Sequence, residues 1–330
     1  MLILFITYVF NFFCYYEFQE IEVKHIYLDR INTTSIADEA ITFDIGHDII
    51  SIRNLLITED NYFITPVGYE DNGFPRSIAK LDKTGKFIEE IYRSKDVIKT
   101  ISYDSALKNI IIGYTEKIAV FNLAKNTVIN EMETGKFITT IKLFKDKLYV
   151  AGIQAIGDSE IYYLDLYDAA SLKFIETKKE IKYAADERLK TRNPSLSSSN
   201  NELFVAMGNI NEIYSSRDGF KMPIISFKNI YNNKPKLGDI RFSANQGVAG
   251  NFATTVFGYS NSWYVFFYDL NSKKQYLSKI GTNSGVYDDI KNLGYIRSPQ
   301  FTNSNEYMFS SKKSISNDNE ISVILLKIKS

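Results

Sequence analysis

Six times along the chain a polar start runs into a block of apolar and aromatic residues. The phrases are "DNYFITPV" from Asp60, "KNIIIGY" from Lys108, "DKLYVAGI" from Asp146, "NELFVAMG" from Asn201, "GNFATTVFGY" from Gly250 and "NEYMFSS" from Asn305. Successive starts lie 48, 38, 55, 49 and 55 residues apart, near the roughly 40 to 50 residues that one blade of a radially repeated sheet occupies. A module of this size buries its faces only against its neighbours, so the repeat predicts one large domain rather than several separate ones.

Each unit divides further. Ahead of the phrase lies another apolar stretch, such as "IISIRNLLI" from Ile49, "VIKTISY" from Val97, "ITTIKLF" from Ile138 and "YIRSPQF" from Tyr295. Behind it comes a strand, a tight turn and a second strand: "AKLDKTGKFIEEI" from Ala79, "AVFNLAKNTVINE" from Ala119, "LYDAASLKFIET" from Leu166 and "FYDLNSKKQYLSK" from Phe267. Asp82, Asn122, Asp168 and Asp269 recur at one offset, where a short polar side chain bonds to backbone amides two residues on. They are read as turn residues, not as catalytic groups. Four short strands per unit predict an all-β, six-bladed propeller of four-stranded antiparallel blades. The 23 Tyr and 23 Phe against 17 Gly and 6 Pro suit pleated strands. An open ring leaves unpaired edges. The strand-like segments at 21–29 ("IEVKHIYLD") and 320–328 ("EISVILLKI") are therefore expected to pair with each other and close the sixth blade.

The first residues differ from the rest. Residues 2–16, "LILFITYVFNFFCYY", form an apolar run followed by the charged, alternating "EFQEIEVKHIYLDR". A run of this length suits a secretory signal better than a membrane span, which needs about 20 residues. Residues 1–20 are accordingly assigned to a signal peptide or a membrane or lipid anchor, and 21–330 to the propeller. Cys14 is the candidate lipid-accepting residue, and the expected location is exported: the periplasm or a membrane-anchored cell envelope. Membrane contact is expected only through the N-terminal segment.

Charge and chemistry narrow the function. Lys plus Arg and Asp plus Glu are 39 each, and a neutral chain has no long-range field to draw in nucleic acid. One Cys allows no internal disulfide, and His25 and His47 are too few and too far apart for a zinc motif, so no metal site or cofactor is expected. Calcium would need an acidic pair such as Asp288 and Asp289, or channel-facing carboxylates forming a ring of oxygen ligands. No nucleophile elbow, Walker loop or metal-binding helix is present, and no catalytic residue is assigned.

On phrases such as "LDKTGKFIEEI" and "DKLYVAG", with the six units and the apolar leader, the chain resembles the exported bacterial six-bladed β-propellers of the TolB-like group, and NHL-type propellers at the same level of pattern. The resemblance implies an exported or lipid-anchored protein. Most members of that group lack an assigned reaction.

In a four-stranded blade the links alternate between two faces. Those on one face are short, such as "TED", "KD" and "KTG"; those on the other are long: 68–76, 154–159, 182–194, 229–239 and 281–294. Binding residues concentrate on longer loops held by a rigid frame. Arg76, Arg188, Arg192, Tyr287, Asp288 and Asp289 are the candidate ligand-binding residues there. Arg offers a planar fork for an anion, Tyr a stacking face, and the acidic pair a cation site. The expected function is a non-catalytic binding or scaffold propeller of the bacterial envelope, taking a protein, peptide or glycan on the long-link face. The alternative is a hydrolase or lyase acting on a carbohydrate or lactone through channel-facing carboxylates, which calls for two of them roughly 5 to 10 Å apart.

Overall fold

The computed structural model describes residues 18–46, 49–68, 71–183, 193–207, 211–228, 243–259, 261–313 and 320–330. The leader, with Cys14, and residues 184–192, with Arg188 and Arg192, lie outside the described residues, as does His47.

The repeat is a β-propeller, and its blade count is seven rather than the expected six. Blade 1 holds Ile49–Ile57, Tyr62–Gly68, Ser77–Leu81 and Phe87–Arg93; blade 2 holds Thr100–Asp104, Asn109–Gly113, Lys117–Asn122 and Thr127–Glu133. Blade 3 holds Phe137–Phe144, Lys147–Ile156, Ser159–Asp168 and Phe174–Tyr183; blade 4 holds Ser195–Ser199, Glu202–Ala206, Glu212–Ser215 and Pro223–Lys228. Blade 5 holds Ser243–Ala249, Phe252–Tyr259, Ser262–Asp269 and Gln275–Ile280; blade 7 holds Gln300–Phe301, Tyr307–Lys313, Ile321–Ile328 and Ala37–Ile45. Each of the six repeated phrases is the second strand of one of these four-stranded blades.

Blade 6 is the addition. It has three short strands, Gly285–Asp288, Gly294–Ile296 and Arg30–Asn32. None is long enough to carry the repeated phrase, which is why a count of phrases misses it. Its first strand lies within the segment 281–294, read from sequence as a long link, and its second begins at the end of that segment. The supposed long link at 154–159 is likewise a tight turn at Gly157 and Asp158, between strands that run to Ile156 and from Ser159.

Ring closure also differs from expectation. Ile321–Ile328 pairs antiparallel with Ala37–Ile45, not with 21–29. The earlier segment instead runs as a belt along outer blade edges: Gln19–Glu22 lies parallel beside blade 4, Leu28 bridges to Ser278 of blade 5, and Arg30–Asn32 lies parallel beside blade 6. The physical reason is edge coverage, since the belt supplies partners to outer strands that would otherwise be open. Ile21 and Val23 are buried by it, whereas Ile26 is 71% exposed.

The core lies between blades. One apolar cluster joins blades 1 and 2 through Leu56, Phe63, Ile110 and Ile112. Others join 2 to 3 through Ile118 and Leu148, 3 to 4 through Leu164 and Val205, and 4 to 5 through Phe227 and Phe266. The cluster holding Phe252, Val286 and Ile324 joins blades 5, 6 and 7, and Phe43 with Tyr62 joins 7 back to 1. Every blade therefore buries both faces, as a ring of sheets requires.

The turn residues cap their turns as expected, Asp82 and Asp269 through the amide two residues on, Asn122 and Asp168 through the amide three residues on. The Asp82 carboxylate accepts from the Thr84 amide at 2.8 Å and hydroxyl at 2.6 Å. Asn122 accepts from the Lys125 amide at 2.8 Å, Asp168 from the Ser171 amide at 3.0 Å, and Asp269 from the Asn271 amide at 2.9 Å. Hydrogen bonds from Thr84 and Ser171 hold the Asp82 and Asp168 carboxyls below their ordinary range.

Candidate functional site

The first strands of blades 1 to 5 and 7 wall a central channel. Neighbouring first strands run parallel, as their side-chain bonds show by advancing two residues on both strands at each step. Ser195 donates to the Gln246 carbonyl at 2.6 Å, the Val248 amide donates to Ser197 at 3.0 Å, and Ser199 donates to the Gly250 carbonyl at 3.0 Å. Thr100 accepts from the Ile141 amide at 3.4 Å and Ser102 from the Leu143 amide at 2.8 Å. These strands diverge too far for a full backbone ladder, so hydroxyls satisfy groups that would otherwise be buried unpaired. The serine-rich "SLSSS" at 195–199 is a consequence of that need.

Within the channel lies a cavity of about 200 Å³. Thr100, Pro194, Ser195, Asn245 and Gln300, at or near the starts of first strands, line one part; Lys142, Thr302 and Asn303, nearer strand ends, line the other. Lys142 leaves blade 3 and reaches the link of blade 7, where its Nζ donates to the Thr302 carbonyl at 3.1 Å and the Asn303 carbonyl at 3.4 Å. In the ring of channel-walling blades, 3 and 7 stand opposite, so this side chain braces the channel across its width. Burial pushes the Lys142 ammonium down to about 8, and no ion pair joins it to a carboxylate among the described residues.

The other charged group in the lining is Arg53, exposed in an irregular stretch of Ile49–Ile57 where the pairing register shifts between Ile52 and Leu55. Among the described residues the lining contains neither Asp nor Glu, so the carboxylate pair that a propeller hydrolase calls for is not among the described groups lining this cavity. Among the described residues no group of three or more His, Cys, Asp or Glu side chains converges as a metal site.

The residues expected from sequence to bind ligand are not gathered there. Arg76 lies between blades 1 and 2 and donates to the Lys95 carbonyl. Tyr287, Asp288 and Asp289 belong to blade 6 or its following link. Arg30 sits over the Tyr287 ring at 4.3 Å. Buried Asp288 accepts from the Ile290 and Lys291 amides at 3.3 and 3.2 Å, as an Asx-type turn does. Asp289 accepts from the Thr34 hydroxyl at 2.6 Å and amide at 2.9 Å, and from the Thr33 hydroxyl at 2.8 Å. Burial raises the Asp289 carboxyl, but these bonds outweigh it and leave the group below its ordinary range. The acidic pair thereby ties the short helix Thr33–Ile36 to blade 6.

Lys142 was not a candidate from sequence. Its signal is a lone Lys in the apolar first-strand phrase "ITTIKLF", a strand whose inner side faces the channel. Its titration has a measurable consequence. The unfolded chain takes up this proton near 10.5 and the folded chain only near 8, so between those values the unfolded state binds more protons and stability rises with pH. Below 8 the full penalty is present. Urea unfolding is expected to show wild type gaining about 2 kcal/mol relative to Lys142→Met between pH 8 and roughly 9.5. Buried tyrosines such as Tyr167, pushed up to about 12, act with the opposite sign only from near pH 10. A constant difference between the two proteins across that window contradicts the assignment.

The fold and channel define a β-propeller with a walled, basic central cavity. No protein-family model matches the chain, and no curated protein sequence does. Among solved structures, a protein of Bacteroides fragilis provisionally described as exported is similar with a TM-score of 0.69 at 13% identity, over 94% of this chain and 100% of its own. Hydrazine synthase of Kuenenia stuttgartiensis gives 0.50 at 13% identity over 82% and 76% of the two chains. A chain of the mitotic checkpoint complex gives 0.50 at 8% identity over 93% and 99%. At these identities the likeness is one of fold. Among the described residues no helix is long and apolar enough to cross a membrane.

Proposed function

We propose that the chain is a non-catalytic binding propeller of the bacterial cell envelope that holds a protein partner on its rim. The observation that carries this reading is the braced channel. With Lys142 crossing the channel from blade 3 to blade 7, a chain threading the axis would have to displace this brace, which favours a macromolecular partner docked on the outer face of the ring. Loops on such a frame commonly supply recognition. The similarity to the Bacteroides protein provisionally described as exported supports the envelope location, and that to a chain of the mitotic checkpoint complex supports protein partners. The apolar 2–16 run supplies the export signal or anchor.

Fractionation of native-source cells followed by in-cell cross-linking tests both parts. The protein is expected in the periplasmic or membrane fraction, with cross-links from the segments 182–194 and 229–239 to one recurrent protein. Recovery from the cytosol with the leader intact removes the envelope assignment, and a chain that cross-links only to itself removes the partner.

A further inference from the structure

We infer that the channel cavity is a binding site for a small oxyanion, a carboxylate or a phosphate, held between Arg53 and Lys142. This concerns the axis of the ring and stands apart from the partner on its rim.

Charge comes first. Among the described residues two cationic side chains, Arg53 and Lys142, line the cavity and no carboxylate does. A buried cation without a counter-charge is costly, and a chain that needed only a brace across the channel could make the same two carbonyl bonds with a neutral amide. An ammonium has three N–H donors; two are used on Thr302 and Asn303, which leaves one for a ligand. Arg53 adds a planar fork suited to two oxygens of one anion.

Size and polarity agree. A water's share of liquid volume is about 30 Å³, so a cavity of about 200 Å³ accepts a small di-acid or a phosphate with some water. The amides of Asn245 and Gln300 and the hydroxyl of Thr140 also line it and can donate to an oxyanion. Arg53 is exposed whereas Lys142 is buried, which places one cation where the anion enters and the other where it stops.

Calorimetric titration of the full chain with sodium malonate and, separately, inorganic phosphate at pH 7 in low-chloride buffer tests the site. Sub-millimolar binding of one of them is expected, and which one binds tells carboxylate from phosphate. Arg53→Gln, at an exposed position, is expected to weaken binding at least tenfold with its ligand-free melting temperature unchanged, and Lys142→Met to remove binding. Because Arg53 and Lys142 are the ionisable groups lining the cavity among the described residues, wild-type affinity should decline as pH rises above 8, where Lys142 loses its proton. No binding of either anion at 10 mM, or either variant binding as wild type does, overturns the site.

Discussion

Removing residues 321–330 is expected to abolish cooperative folding. Ile321–Ile328 is not an edge: it lies between Tyr307–Lys313 and Ala37–Ile45, hydrogen-bonded to both. Val323, Ile324, Leu325 and Leu326 are at most 1% exposed. At about 1.5 to 3 kcal/mol for each fully buried aliphatic side chain, the strand's apolar residues contribute on the order of 10 kcal/mol, comparable to the whole net stability of a domain, about 5 to 15 kcal/mol. Its loss also strands Ala37–Ile45 and exposes the Phe43–Tyr62 contact, stacked at 4.9 Å, that joins blade 7 to blade 1. Far-UV circular dichroism during urea titration, with size-exclusion chromatography, reads the effect. The truncated chain should give a broad transition and elute as aggregate; a sharp transition at the wild-type midpoint contradicts the placement.

Asn303→Leu is expected to cost about 2 to 6 kcal/mol, because two backbone groups lose partners at about 1 to 3 kcal/mol each. The Asn303 side chain imitates one rung of a β-ladder: its Oδ1 accepts from the Ile57 amide at 2.7 Å and its Nδ2 donates to the Ile57 carbonyl at 3.1 Å. Ile57 ends the first strand of blade 1, and Asn303 follows the two-residue first strand of blade 7. That first strand is too short to stitch itself to its neighbour through several hydroxyls as blade 4 does, so one amide carries the closure there. Chemical denaturation of the variant should show a lower midpoint with an unchanged slope. A midpoint equal to that of wild type would mean that the clasp is incidental.

The parts legible in the sequence are those that obey a period. The second-strand phrases recur because every four-stranded blade needs the same buried strand, and Asp82, Asn122, Asp168 and Asp269 recur because the same turn needs the same acceptor. Blade 6 breaks the period, with strands of four and three residues and a third borrowed from Arg30–Asn32. The closing strand was hidden for a related reason. Both 21–29 and Ala37–Ile45 alternate well enough to be strands, and which one meets Ile321–Ile328 depends on where the belt leaves the chain, a long-range fact.

The channel was legible only in outline. Sequence assigned first strands correctly from "IISIRNLLI" and "ITTIKLF", but polarity there reads as noise until six strands are placed around one axis. Lys142 gains its meaning from Thr302 and Asn303, some 160 residues away. Conversely, Asp288 and Asp289 look available in a line of text and are engaged by amides and by Thr33 and Thr34 in space. Exposed-looking charge in a sequence says nothing about which backbone donors the fold will bring to it.

Disulfide trapping tests ring closure most directly. Glu39 and Lys327 are cross-strand partners on the closing pair, and Glu39 is exposed. In a chain carrying Cys14→Ser, the pair Glu39→Cys with Lys327→Cys should form a disulfide on mild oxidation, since facing strand residues lie within the roughly 4.4 to 6.8 Å between Cα atoms that a disulfide spans. Tyr27→Cys with Lys327→Cys should remain reduced under the same conditions. Trapping of the 27–327 pair with the 39–327 pair unreacted would contradict closure through Ala37–Ile45.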